Sequence, residues 1–70
     1  MKKSFYDFIG LFRNDSYYSI VAELTEDDIT FPMYAVKEEI LKYMQVATKY
    51  ARVQPQITEL YKSYLRSINE

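Results

Sequence analysis

The sequence predicts an all-α fold, a compact four-helix bundle with helices over about 4–13, 16–25, 35–47 and 55–68. Three observations predict it. Apolar residues recur at helical spacing in four separate stretches, and none alternates as a half-buried strand would. Glycine occurs once and proline twice, too few for the turns of a hairpin-built chain. The hydrophobic fraction of 49% and the aromatic fraction of 17% exceed what a disordered chain carries.

Seventy residues make one small domain, 1–70, with a correspondingly small core. A chain of this size buries about 60–65% of its unfolded surface, so its stability is modest. Without cysteine, no disulfide or thiolate metal site supplements that core, and packing supplies nearly all the stability.

In the first helix Ser4 is the expected N-cap, and Asp7 places a negative charge in the first turn, where the helix dipole favours it. Phe5, Phe8, Ile9 and Phe12 fall at i, i+3, i+4 and i+7, which makes one core-facing stripe. Gly10 inside that pattern costs roughly 1 kcal/mol against alanine. It either admits a neighbouring helix or is merely tolerated.

Asn14, Asp15 and Ser16 form a polar break before Tyr17, Ile20, Val21 and Leu24 resume the helical spacing to about Thr25. "TEDDITFP" ends this second helix, because the residue before proline is pushed out of the helical region. The acidic loop reads as a solvated surface feature.

The third stripe is Val36, Ile40, Tyr43, Met44 and Ala47, and Tyr50 or Ala51 extends it if the helix continues. Pattern alone leaves its end open between Val46 and Arg52. Pro55 belongs in a first helical turn and so opens the fourth helix. There Ile57, Leu60, Tyr61, Tyr64, Leu65 and Ile68 give the clearest amphipathic signal in the chain.

These elements together, "SFYDFIGLFR", "EDDITFP", "EEILKYM" and the aromatic last helix, resemble the YozE-like family of small bacterial proteins. The matching positions are Ser4, Phe5, Tyr6, Phe8, Arg13, Ala22, Asp28, Phe31, Pro32, Glu39, Ile40, Tyr43, Tyr50 and Tyr64. The resemblance spans nearly the whole chain. It implies a fold similar to sterile-alpha-motif (SAM) domains, an origin among Gram-positive bacteria and their phages, and a break after the third helix near residues 47–49. It implies no activity. The chain departs from the family pattern at Met33, where lysine is usual, and at Thr58 and Tyr61, where aspartate and tryptophan are expected.

Chemistry is narrowed mainly by what the chain lacks. With neither histidine nor cysteine there is no base for a nucleophilic triad and no soft zinc ligand. Glu26, Asp27 and Asp28 lack the alternating spacing, glycine and distal glutamate of a calcium loop, so no metal or other cofactor is expected. Glu38 and Glu39 point to adjacent helix faces and do not pair as an acid and base. No glycine-rich phosphate loop exists, and the sequence reads as a non-enzyme.

Two binding readings remain. Twelve aromatic rings, eight of them tyrosines, exceed what so small a core encloses. Tyr6, Tyr17, Tyr18 and Tyr34 lie at stripe edges or in loops, and with Arg13 they are the candidate surface for a protein partner or self-association. The bland reading lays these rings over the core with their hydroxyls in water. The alternative is a weak nucleic-acid interface using Lys49, Arg52, Lys62 and Arg66, although the outer face of any amphipathic helix carries such charges.

The net charge of −1 gives no general drive toward phosphate or anionic lipid. Its distribution is uneven. Residues 1–13 carry Lys2, Lys3 and Arg13 against Asp7, residues 14–39 seven acids against Lys37, and residues 40–69 five cations against Glu59. Lys2 and Lys3 imitate the start of a signal peptide, but Asp7 interrupts the apolar run. No apolar stretch reaches about 18 residues, so the expectation is a cytoplasmic protein without membrane association.

Overall fold

Ser4 adopts an extended conformation (φ −71°, ψ 164°), and its hydroxyl accepts the Asp7 N–H at 3.1 Å. That cap starts α1, Phe5–Gly10, in the computed structural model, which describes residues 4–69. Lys2 and Lys3 lie outside the described residues. The first helix is shorter than its stripe predicts. Past Gly10 the amides of Leu11, Phe12 and Arg13 bond three residues back, to Phe8, Ile9 and Gly10, so the α-helix tightens into turns. One Asp15 carboxylate oxygen then accepts the N–H groups of Tyr17 and Tyr18, at 2.8 and 3.0 Å. Those two backbone bonds hold the Asp15 carboxyl below its ordinary pKa.

This Asp15-centred turn displaces the start of α2, which runs Ser19–Asp27 rather than 16–25. Helix α3 spans Lys37–Val46, with Glu38 and Glu39 in its first turn. It ends where Ala47 turns extended (φ −67°, ψ 129°), at the break the family resemblance implied. A 3₁₀ helix, Thr48–Val53, leads directly into α4, Gln54–Ile68, with Pro55 in its first turn. The Gln54 amide donates to the carbonyls of Met44 and Tyr50, both at 2.9 Å, and so ties the end of α3 to the 3₁₀ helix. No strand occurs among the described residues.

Helix α1 packs on α2, α3 and α4, and the 3₁₀ helix fills the remaining side against α2, α3 and α4. The radius of gyration is 11.0 Å, close to the roughly 11 Å of a well-packed chain of this length. The core holds Phe5 and Ile9 from α1, Val21 and Ala22 from α2, and Ile40 and Met44 from α3. Tyr50 and Val53 join them from the 3₁₀ helix, and Ile57, Leu60 and Tyr64 from α4.

The stripes identify these faces, with corrections at their margins. Phe8 and Phe12 are half-buried, packed on each other at 5.3 Å rather than sunk in the core. Ile20 and Val36, assigned to stripes, are exposed, because no described residue covers the outer edge of α2 or the entry to α3.

The acidic loop brings the largest correction. Asp28 is buried, at 5% exposure, and not solvated. Thr30 folds back onto it through both its N–H (3.1 Å) and its hydroxyl (2.8 Å). The hydroxyls of Tyr43 and Tyr50 donate to the other carboxylate oxygen at 2.7 and 2.9 Å. Lys49 adds its ammonium at 3.4 Å. Burial alone would raise the carboxyl pKa, but bonds from Tyr43, Thr30 and Tyr50 outweigh it and hold the group well below the usual carboxylate range. Burial, followed by the bond to Asp28, pushes the Tyr50 hydroxyl far above its ordinary value.

Candidate functional site

The Asp28 cluster fixes more than its own loop. Between Asp28 and α3 the chain must descend past Phe31, which is buried against Tyr43 (5.6 Å between ring centroids) and Tyr50 (6.4 Å). Phe31 in turn holds the half-buried Tyr6 ring of α1 at 5.3 Å. Pro32 restricts the next step, and Met33, Tyr34 and Ala35 then pass alongside the start of α1. A carboxylate anchored by three hydroxyls thus sets the spacing between α1 and the α2–α3 loop.

That spacing leaves a cleft of about 360 Å³ lined by Ser4, Tyr6, Asp7, Met33, Tyr34 and Ala35. It continues in both directions along α1. Ser4 and Ala35 also line a neighbouring depression of about 430 Å³ that reaches Val36, Lys37 and Ile68. Tyr6 and Asp7 also line one of about 270 Å³ that reaches Gly10, Leu11, Arg13 and Glu26. Their shared lining residues set the three side by side as one grooved face along α1. Along it stand large apolar side chains with little cover: Tyr34 at 96% exposure, Leu11 at 62% and Val36 at 61%.

The charges in the groove are mostly matched. Arg13 binds Glu26 through Nε at 2.9 Å and Nη2 at 2.8 Å, and Lys37 meets Glu38 at 3.0 Å. The exception is Asp7. Its backbone N–H is used by the Ser4 cap, but its carboxylate has no ion-pair or hydrogen-bond partner among the described residues.

The structure divides the candidate residues. Tyr6, Arg13 and Tyr34 come together along the groove. Tyr17 and Tyr18 do not join them. They stack edge-on at 4.9 Å, with Tyr18 against Phe12 at 5.4 Å and its hydroxyl donating to Glu59 at 3.1 Å. That bond to Glu59 raises the Tyr18 pKa. Three tyrosine hydroxyls, those of Tyr18, Tyr43 and Tyr50, therefore end on carboxylates rather than in water. The four basic candidates, Lys49, Arg52, Lys62 and Arg66, are all exposed, and Lys49 alone of them has its ammonium at Asp28.

Sequence reasoning did not single out Asp28, Asp7 or Met33 as parts of a site. The usable signal was Thr30 two residues after Asp28, a spacing at which a carboxylate bonds its own backbone. Among the described residues no three carboxylates gather as a cation site, and no helix is long and apolar enough to cross a membrane. The sequence model of the family described as YozE SAM-like fold matches residues 4–66. No curated protein and no solved structure matches the chain.

Proposed function

The chain belongs to the YozE SAM-like family, and on that premise we propose that it is a non-catalytic, cytoplasmic protein-interaction module that presents the α1 groove to a partner. The observation that carries this reading is the groove itself. It runs beside one helix, and along it stand Tyr34, almost wholly exposed, and the exposed side chains of Leu11 and Val36. Exposed aromatic and aliphatic side chains along a concave surface are what interface anchors are made of.

The chemistry of the chain supports binding over catalysis. Its most perturbed carboxylate, Asp28, is saturated with donors and held ionised, so it has no proton to give and little tendency to take one near neutrality. The nucleic-acid alternative through Lys49, Arg52, Lys62 and Arg66 draws less support, because the Lys49 ammonium is directed at Asp28.

A photo-crosslinking amino acid at position 34, expressed in the native cell, tests the reading against the same group at position 62. A discrete protein adduct from position 34 and none from position 62 is the expected result. The absence of any adduct at position 34, or the same products from both positions, would overturn it.

A further inference from the structure

Within the α1 groove, we propose that the central cleft is a receptor for a guanidinium group, an arginine side chain presented by a segment of a partner protein. The inference rests on the interaction role proposed above and narrows it to one chemistry. Three features of the cleft converge on that ligand.

The first is charge. Asp7 is the one acid of the groove that no described side chain neutralises, whereas Glu26, the other acid that lines it, is occupied by Arg13. A ligand that enters beside Asp7 gains by bringing a positive charge. The second is the aromatic wall. Tyr6 is fixed against Phe31, and Tyr34, almost wholly exposed, lines the same cleft. A flat, weakly hydrated guanidinium stacks on such rings while its N–H fork remains free for a carboxylate, which a compact ammonium does less well. The third is the flanking chemistry. Met33 lies in the cleft, Leu11 along one extension and Val36 along the other, so apolar residues on either side of the arginine also find contacts.

The occupant is therefore an apolar–arginine–apolar segment. Titrating the labelled protein with a capped pentapeptide, a central arginine between leucines, and following amide shifts by NMR tests this directly. Perturbations are expected at Ser4, Tyr6, Asp7 and Tyr34, and the counterpart peptide with neutral citrulline should bind about tenfold more weakly. Asp7→Asn and Tyr34→Ala should each weaken the arginine peptide by about threefold, as expected for an exposed ion pair and an exposed ring. The melting temperature should be unchanged for Tyr34→Ala and slightly lower for Asp7→Asn, whose charge also favours the first turn of α1.

Equal binding of arginine and citrulline peptides, or shifts confined to the exposed Glu23 and Asp27 of α2, would overturn the proposal. Concentration-dependent shifts of the cleft residues in the protein alone would also overturn it, by assigning the cleft to a second copy of the chain. A cross-link at position 34 without arginine selectivity would sink only the guanidinium assignment. Loss of the cross-link would sink the interaction reading itself.

Discussion

The Tyr50 hydroxyl donates to Asp28 Oδ2 at 2.9 Å across 22 residues of sequence, and both groups are buried. In an unbroken helix Tyr43 and Tyr50 would be displaced by about 10.5 Å along the axis. The break at Ala47 instead brings their rings to 6.1 Å, so that both hydroxyls reach one carboxylate oxygen. The interruption after α3 and the buried charge thus form one structural feature.

Replacing Asp28 with asparagine keeps the shape but removes the charge and turns an amide toward hydroxyl donors. Charge-assisted hydrogen bonds of this kind are worth about 1.5–3 kcal/mol, and an unmatched buried donor adds to the loss. Asp28→Asn should therefore lower the melting temperature by roughly 8–16 °C, as expected for about 2 kcal/mol in so small a domain. Tyr50→Phe should cost less, because Tyr43 still bonds the same oxygen. The two changes together should fall short of their sum. Calorimetry of the three variants checks both statements.

The same pair sets the pH limits of stability. The folded Asp28 pKa lies below its ordinary 3.8, so its contribution is complete above that value and disappears as pH falls toward the folded pKa. The folded Tyr50 pKa lies above its ordinary 10.0, so its contribution is complete below pH 10 and declines as pH rises beyond it. Urea midpoints should be nearly flat between pH 5 and pH 9 and fall on both sides. Asp28→Asn should flatten the acid limb and Tyr50→Phe the alkaline limb.

Sequence periodicity made most of the helix faces legible because a stripe reports which side of a helix is apolar. Phe5, Ile9, Val21, Ile40, Met44, Ile57, Leu60 and Tyr64 were found that way. A stripe does not report whether anything covers it, hence the exposed Ile20 and Val36. Asp28 was missed for a different reason. A carboxylate in an acidic loop reads as solvated unless its donors are known, and two of them arrive from residues 43 and 50. Tyr6, Arg13 and Tyr34 were legible as residues off the core stripes. Their cleft was not, since it exists only between segments that the Asp28 cluster holds apart.

Burial ranks the phenylalanines of α1. Phe5 is 1% exposed and contacts Tyr61 and Tyr64, each at 5.3 Å, so Phe5→Ala should cost about 3–5 kcal/mol and threaten folding altogether. The stripe alone assigns the same loss to Phe8. Phe8 is half-buried at the rim, and its truncation should cost roughly 1–3 kcal/mol, since less area leaves water and the gap opens to solvent. Chemical denaturation of both variants, with Phe5→Ala the less stable, is the expected order. The reverse order would mean that α1 is rotated in the bundle.

Gly10 offers a change in the opposite direction. Its φ is not positive, so no left-handed conformation requires glycine. A Cβ built there meets only the Arg13 Nη2 atom, at 3.9 Å, which is an ordinary contact with a flexible side chain. No neighbouring helix approaches closely enough to demand the bare backbone, so glycine at this position is tolerated rather than needed. Alanine would restrict the unfolded chain and favour the last turn of α1, a gain of about 0.4–1 kcal/mol. Gly10→Ala should therefore raise the melting temperature by roughly 2–8 °C while the Arg13–Glu26 pair re-forms around it. A lower melting temperature would show that α1 depends on glycine to tighten into the turns that follow.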